Sequence, residues 1–433
     1  MNSEWPIVRL GDLVDSCLGK MLDAKKNKGV NQPYLGNSNV RWGNFHLTDL
    51  AEMRFEPKEE ARYSLEPGDL VVCEGGEPGR CAIWTGEKGM KIQKALHRIR
   101  PKAALNNYYL FYWFLNSAKT GLLEPYFTGT TIKHLTGKAV AALELPLPPL
   151  SVQVATVEVL KPLDDRITLL RETNKTLESI AQAIFKSWFM DFDPVRAKME
   201  GRQPEGMDEE TAALFPDSFE KSEVGLIPKG WVVGEVKDLG EVICGKTPAT
   251  RNSEYYGNEI PFVTIPDMHN NLLITTTNRS LSKKGADSQS KKYLRKGSIC
   301  ISCIATPGLV SQITSEAQTN QQINSVVPFA KWGDNFTLFT LRLIGEAVKS
   351  AGSGGSVFHN LSKSRFETLT TLLPDTLCAQ TFNLTVTPII EKITINQYQI
   401  QSLSDIRDTL LPRLISGQLR LPEAQEKVES ALS

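Results

Sequence analysis

Two stretches of the chain carry a helical hydrophobic pattern longer than that of an ordinary globular helix. In the first, Leu163, Ile167, Leu170, Asn174, Leu177, Ala181, Ile184 and Trp188 recur at alternating steps of four and three. That is a heptad seam, and it predicts a coiled-coil helix over 150–190. Moving 226 residues along gives Ile389, Ile393, Asn396, Ile400, Leu403, Arg407, Leu410 and Leu414, a second seam within 376–417. Each seam holds one Asn, a residue that weakens a coiled coil but fixes its register and partner. Seams of equal length suit each other, so the two helices are expected to pack together. They are expected to run antiparallel, because each ends a domain and the repeat then makes a pseudo-two-fold. Pro162 and Pro388 stand at equivalent positions and are expected to kink their helices or mark the first turn.

The offset of 226 holds outside the seams. Trp5 matches Trp231, Gly19-Lys20 matches Gly245-Lys246, and Lys133-His134-Leu135-Thr136 matches His359-Asn360-Leu361-Ser362. Between them, Pro78-Gly79 matches Pro307-Gly308 and Gln93-Lys94-Ala95 matches Gln321-Gln322-Ile323, at slightly larger offsets. Matches in one order at a nearly constant offset indicate an internal duplication. Each half opens with short β-branched runs between Gly/Pro turns, such as Gly68–Val72 and Ser298–Ile301. A helix also fits 107–119, where Leu110, Phe111, Phe114 and Leu115 share a face. The expected fold class is mixed α/β (α+β), with two globular domains at 1–149 and 229–375 separated by two long antiparallel coiled-coil helices at 150–190 and 376–417. A segment at 191–228 is rich in Pro and Gly and reads as an acidic surface linker. Residues 418–433 form a C-terminal tail.

Composition narrows the function classes. The 433 residues suggest two to four domains. No apolar run approaches the ~20 residues of a membrane span, and the N-terminus lacks a basic region followed by an apolar stretch. Seven cysteines are an odd number in a long chain, as expected for free thiols in a reducing cytoplasm. Lys+Arg and Asp+Glu are 49 each, so any nucleic-acid surface must be local.

The catalytic motifs fail on physical grounds. Gly240–Thr247 satisfies the letters of a P-loop, but its middle residues Glu, Val, Ile and Cys read as a strand, and Pro248 is a poor helix opening. Asn31-Gln32-Pro33-Tyr34 is one residue from the motif that holds a target base in amino-methyltransferases, yet no Gly-rich strand–helix turn precedes it. Cys300 and Cys303 have CxxC spacing without a second ligand pair, and residues three apart on a strand point to opposite faces. The five histidines are scattered. No catalytic site and no metal site is expected.

Three strings remain: Ile184–Val195, with Lys186-Ser187-Trp188-Phe189-Met190-Asp191-Phe192-Asp193-Pro194; Leu214–Phe219 followed by Gly225–Trp231; and Leu410-Leu411-Pro412-Arg413-Leu414-Ile415-Ser416-Gly417. With the duplication, they resemble the specificity subunit of type I restriction–modification enzymes, the HsdS family. The resemblance implies two target-recognition domains, each reading one half of a bipartite site on double-stranded DNA. It implies helices that set the unread spacer and dock two modification subunits, which methylate adenine. Restriction subunits join that core. S-adenosylmethionine, ATP and Mg²⁺ are expected in those partners and not in this chain, which is expected to be non-catalytic and cytoplasmic, with no membrane contact. Base reading needs Arg, Lys, Asn, Gln, Ser or Thr over a groove. The candidates are Lys20, Arg80, Lys94, Lys133 and His134 in the first domain, and Lys246, Gln321, Gln322, His359 and Asn360 in the second. The loops holding Gly129 and Thr130, and Ser353 and Gly354, are expected close to the DNA backbone. The alternatives are a stand-alone modifying enzyme dependent on nucleotide or methyl donor, and a scaffold that contacts proteins only.

Overall fold

A computed structural model describes residues 5–23, 27–304, 306–353, 361–419 and 421–432. It divides into two compact units, Met1–Thr168 with Gln401–Ser433, and Leu169–Ile400.

In the first unit, β1 (Val14–Leu18), β2 (Leu70–Cys73), β3 (Cys81–Ile83) and β4 (Leu96–Pro101) form an antiparallel sheet in the order β1-β4-β2-β3. Every residue of β2 is buried, which explains its unbroken apolar run where a half-exposed strand would alternate. Helix α1 (Asn107–Thr120) is buried from Tyr109 through Ser117. It starts where the Asn106 Oδ1 accepts the Tyr109 N–H at 3.0 Å and stops at Gly121, whose φ of +75° suits glycine. Ile7–Arg9 pairs antiparallel with Glu144–Pro146, bringing the ends of the domain together just before α2 (Leu150–Phe189) begins. Gln153 of α2 is fully buried and ties the two helices. Its Oε1 accepts the Asn106 N–H at 2.8 Å, and its Nε2 donates to the carbonyls of Ala104 and Pro148 at 3.0 and 2.9 Å.

The second unit repeats this plan. Strands β5 (Gly240–Cys244), β6 (Leu273–Ile274), β7 (Ile299–Ser302), β8 (Val310–Ile313) and β9 (Ile323–Pro328) lie in the order β5-β9-β7-β8-β6, the first unit's sheet with one parallel strand added. Val233 pairs with Leu372 as Ile7 pairs with Pro146, each residue displaced by 226. Helix α3 (Asp334–Ser353) is tied to α4 (Thr376–Ile415) by Asn383. The Asn383 Oδ1 accepts the N–H groups of Asn335 and Phe336 at 2.9 and 3.1 Å, and its Nδ2 donates to Trp332 and Ala379 carbonyls, both at 2.6 Å.

Both long helices are continuous over 40 residues. Within the second unit Asn396 meets Asn174 at 2.7 Å, while the Phe382 ring lies 5.6 Å from Phe185 and 5.3 Å from Phe189. Numbers rise along one helix as they fall along the other, so the pair is antiparallel. Within the first unit Arg407 meets Asp164 at 2.6 Å. Every seam position is buried or half-buried. Burial also extends beyond the seam to Phe185, Phe189, Phe382, Val386 and Ile390, because these stretches of α2 and α4 also cover the second domain's aromatic core. Pro162 and Pro388 lie well inside their helices, not in the first turn.

Residues 191–228 are not a surface linker. They form helices Asp193–Met199 and Glu209–Ala213 and a hairpin of Phe219–Ser222 with Gly225–Pro228. Phe215 is 2% exposed, its ring 5.3 Å from Trp188. Val195, Ala197, Ala212 and Ile227 are buried as well, and this apolar set outweighs the segment's acidic composition. The tail includes helix α5 (Leu421–Leu432). Among the described residues no helix is long and apolar enough to cross a membrane.

Candidate nucleic-acid interface

One backbone arrangement joins the loops that carry the first domain's candidates. Glu74, just after β2, donates its N–H to the Ala95 carbonyl at 2.8 Å and accepts the Leu135 N–H at 2.7 Å. The turn at 93–95, the loop at 74–80 and the segment at 128–135 therefore share one surface. Thr128 and His134 exchange backbone hydrogen bonds at 2.9 and 2.8 Å, closing a loop that leaves Gly129, Thr130, Lys133 and His134 exposed. Gly129 has a φ of +93°, and a Cβ there would come 2.3 Å from the Ile132 carbonyl oxygen, so the turn requires glycine. The Lys133 ammonium stands over the Phe127 ring at 5.7 Å and 3.9 Å from Glu124. Lys94 is half-exposed on the adjoining turn.

Arg80 lies at the same loop but is mostly enclosed. Its guanidinium pairs with Glu77 at 3.0 Å and donates to the Asn37 carbonyl at 3.0 Å, while the Trp42 Nε1 donates to Glu77 at 2.7 Å. Trp42 and Glu77 thus belong to this surface, although pattern reading passed them over. The only signal in the sequence was an aromatic residue between a basic residue and a glycine, Arg41-Trp42-Gly43.

Lys20 is a correction. It is 3% exposed, with its ammonium 2.6 Å from Glu59, 2.8 Å from the Arg54 carbonyl and 5.1 Å over the Phe55 ring. Its charge is consumed inside the domain, and it offers no donor to a groove. Its repeat partner Lys246 is exposed, although its backbone is fixed in the same manner, with its N–H on the Thr319 carbonyl at 2.9 Å.

The second domain repeats the backbone junction. Cys303 donates its N–H to the Gln322 carbonyl at 2.9 Å and accepts the Leu361 N–H at 3.1 Å. Gln321 is exposed, and its Oε1 accepts the Thr247 hydroxyl at 2.6 Å. That contact occupies the Gln321 amide oxygen. Gln322 is half-exposed and is held by Asn320 through two bonds of 3.0 Å. Gly354, His359 and Asn360 lie outside the described residues, as does the side chain of Ser353.

A further junction differs between domains. In the first, His97 Nε2 donates to the Leu135 carbonyl at 2.8 Å; in the second, Asn324 Nδ2 donates to the Leu361 carbonyl at 3.3 Å. Burial pushes the His97 pKa down, which favours the neutral imidazole in the folded domain at neutral pH.

The P-loop lookalike begins as strand β5, and Gly245 leads into an irregular segment, without the helix a phosphate cradle needs. Asn31–Tyr34 lies in the strand Val30–Leu35. Cys300 and Cys303 are buried in separate hydrophobic clusters, with burial pushing their thiols up to about 12 and about 11. All seven cysteines are free. Among the described residues no cluster of three or more His, Cys, Asp or Glu could hold a metal ion.

Comparison with known proteins agrees with this duplicated architecture. A family model described as the type I restriction modification DNA specificity domain matches residues 2–179 and again 228–403. The specificity subunit of the type I restriction enzyme HindI from Haemophilus influenzae is 39% identical, over 96% of this chain and all of that one. The MjaIX specificity subunit from Methanocaldococcus jannaschii is 28% identical, over 97% of this chain and 94% of that one. The crystal structure of a type I restriction–modification S subunit from M. genitalium aligns over 95% of this chain and 96% of its own, with a TM-score of 0.54 at 14% identity, a likeness of fold. The chain belongs to the type I restriction–modification DNA specificity family.

Proposed function

We propose that this chain is the sequence-reading subunit of a type I restriction–modification complex, with each domain reading one half of a bipartite DNA site. The repeated backbone junction, at Glu74 in one domain and Cys303 in the other, is the observation that carries the reading. It supports a common scaffold whose surface side chains differ: exposed Lys133 and His134, half-exposed Lys94 and the mostly enclosed Arg80 with Glu77 in the first domain, exposed Lys246 and Gln321 with half-exposed Gln322 in the second. Amide and basic groups suit base edges, and the remaining cations suit phosphates. A zero net charge fits a subunit whose partners share the phosphate contacts.

In this reading the antiparallel helices fix the unread spacer and dock two modification subunits. Those subunits bring S-adenosylmethionine and methylate adenine, and restriction subunits bring ATP-driven cleavage. The chain itself is non-catalytic and works in the cytoplasm. The assembled complex should bind its cognate duplex with an affinity that falls steeply with salt. Binding to protein partners with no preference among DNA duplexes at any salt would favour a protein-only scaffold. Stoichiometric S-adenosylmethionine or ATP binding by the purified chain, abolished by Lys246→Ala, would favour a stand-alone enzyme.

A further inference from the structure

The duplication makes the two long helices near-copies, so each could in principle pair with a second copy of itself. Two polar pairs argue otherwise. Asn396 Nδ2 donates to Asn174 Oδ1 at 2.7 Å, and Asn174 Nδ2 donates to the Ile393 carbonyl at 3.4 Å. Arg407 meets Asp164 at 2.6 Å, and the second Asp164 oxygen accepts the Tyr112 hydroxyl at 2.8 Å. None of these four helix residues is polar in its repeat copy. With Pro162 matching Pro388, Asp164 matches Ile390, Arg407 matches Ala181, Asn174 matches Ile400, and Asn396 matches Leu170. Ile390, Ala181 and Leu170 are buried and Ile400 is half-buried.

We propose that these pairs address the seam, so that α2 accepts an α4-type helix and refuses a second copy of α2. If another α2 took the place of α4, Ala181 would stand where Arg407 stands and Leu170 where Asn396 stands. Asp164 would then lose its arginine and keep only the Tyr112 hydroxyl, and Asn174 Oδ1 would lose the amide N–H that it accepts. If another α4 took the place of α2, Arg407 would face Ile390 and Asn396 would face Ile400. Each wrong pairing sets polar groups against apolar ones, whereas the native pairing joins Arg407 to Asp164 and the Asn396 amide N–H to Asn174, leaving only the Asn396 Oδ1 without a partner. The partner this surface fits is therefore a helix carrying Asn and Arg at those two positions. The device keeps a two-part reader from assembling as two identical halves.

Full-length chain refolded from denaturant at increasing concentration, then separated by size with light scattering, tests this. One variant gives the first pair the apolar character of its copy: Tyr112→Phe, Asp164→Ile and Arg407→Ala together. A second does so for the other pair, with Asn174→Ile and Asn396→Leu. Each variant should recover folded and show a severalfold larger dimer fraction that grows with concentration. Equal dimer fractions in wild type and both variants, none in any of them included, would overturn the proposal. Failure of both variants to refold would also overturn it, since the pairs would then be stability elements that the copy's own residues cannot replace.

Discussion

His97 Nε2 stands 2.8 Å from the Leu135 carbonyl oxygen, while Asn324 makes the equivalent bond to Leu361. One of these donors is an ionisable group and the other is not. Burial lowers the folded His97 pKa below its ordinary value of 6.5, whereas the unfolded chain takes up a proton near there. The stabilisation from neutral His97 is therefore complete above about pH 6.5 and is lost as the pH falls through the folded pKa. Hydrogen exchange at the Leu135 amide should speed up on acidification beyond the intrinsic pH effect, while exchange at Leu361 should not. His97→Asn should remove that difference. A wild-type Leu135 response equal to that of Leu361 would exclude this titration.

Gln153 and Asn383 fasten a domain helix to a long helix, the first through a buried amide and the second through a half-buried one. Gln153→Leu removes one acceptor and one donor group from the start of α1 without leaving a large cavity. It should destabilise the first unit by roughly 2–3 kcal/mol, the cost of unsatisfied buried backbone groups. Denaturant unfolding followed by hydrogen exchange should locate the loss in α1, with α3 unaffected.

Lys20 and Lys246 occupy repeated positions with opposite roles. Lys20→Met should cost about 2 kcal/mol of stability, because it removes an ion pair whose lysine end is buried and leaves the half-buried Glu59 with only the Glu56 N–H. Lys246→Ala should leave stability within about 0.5 kcal/mol and weaken DNA binding by the complex, lowering the salt slope by about one. Thermal denaturation and salt-dependent binding, measured on both variants, separate the two effects. A Lys20→Met protein with unchanged stability would show that the Glu59 pairing contributes nothing.

Much of the helix pair was legible because heptad spacing is a local, periodic signal. The duplication was legible because order and offset survive divergence in the loops. The role of the repeated glycine before each lysine was not. A Cβ at Gly19 would come 2.4 Å from the Gln93 carbonyl oxygen, and one at Gly245 would come 2.1 Å from that of Asn320. These glycines permit close backbone approach between segments more than seventy residues apart, which no local pattern reports. Separation along the chain likewise hid the Lys20–Glu59 pairing, the Thr247 hydroxyl on Gln321 and the Trp42 contact with Glu77. Composition misled at 191–228, where a few apolar anchors decide burial against many charges.

The spacer role of the helices has a geometric test. Seven residues inserted after Leu177, together with seven inserted before Ile393, add one heptad on both sides of the seam while keeping Asn174 beside Asn396. Each helix lengthens by about 10 Å. Mapping of methylated sites should show both half-sites intact and a spacer longer by about three base pairs. An active variant with an unchanged spacer would show that the helices do not set the distance.

The central claim is that two independent readers sit on one chain. Its most direct test is to replace residues 1–148 with the corresponding domain of a relative and to map methylated sites in a host that also carries the modification subunit. The account predicts that one half-site changes while the other half-site and the spacer stay as they were. A simultaneous change in both half-sites, or no change in either, would contradict it.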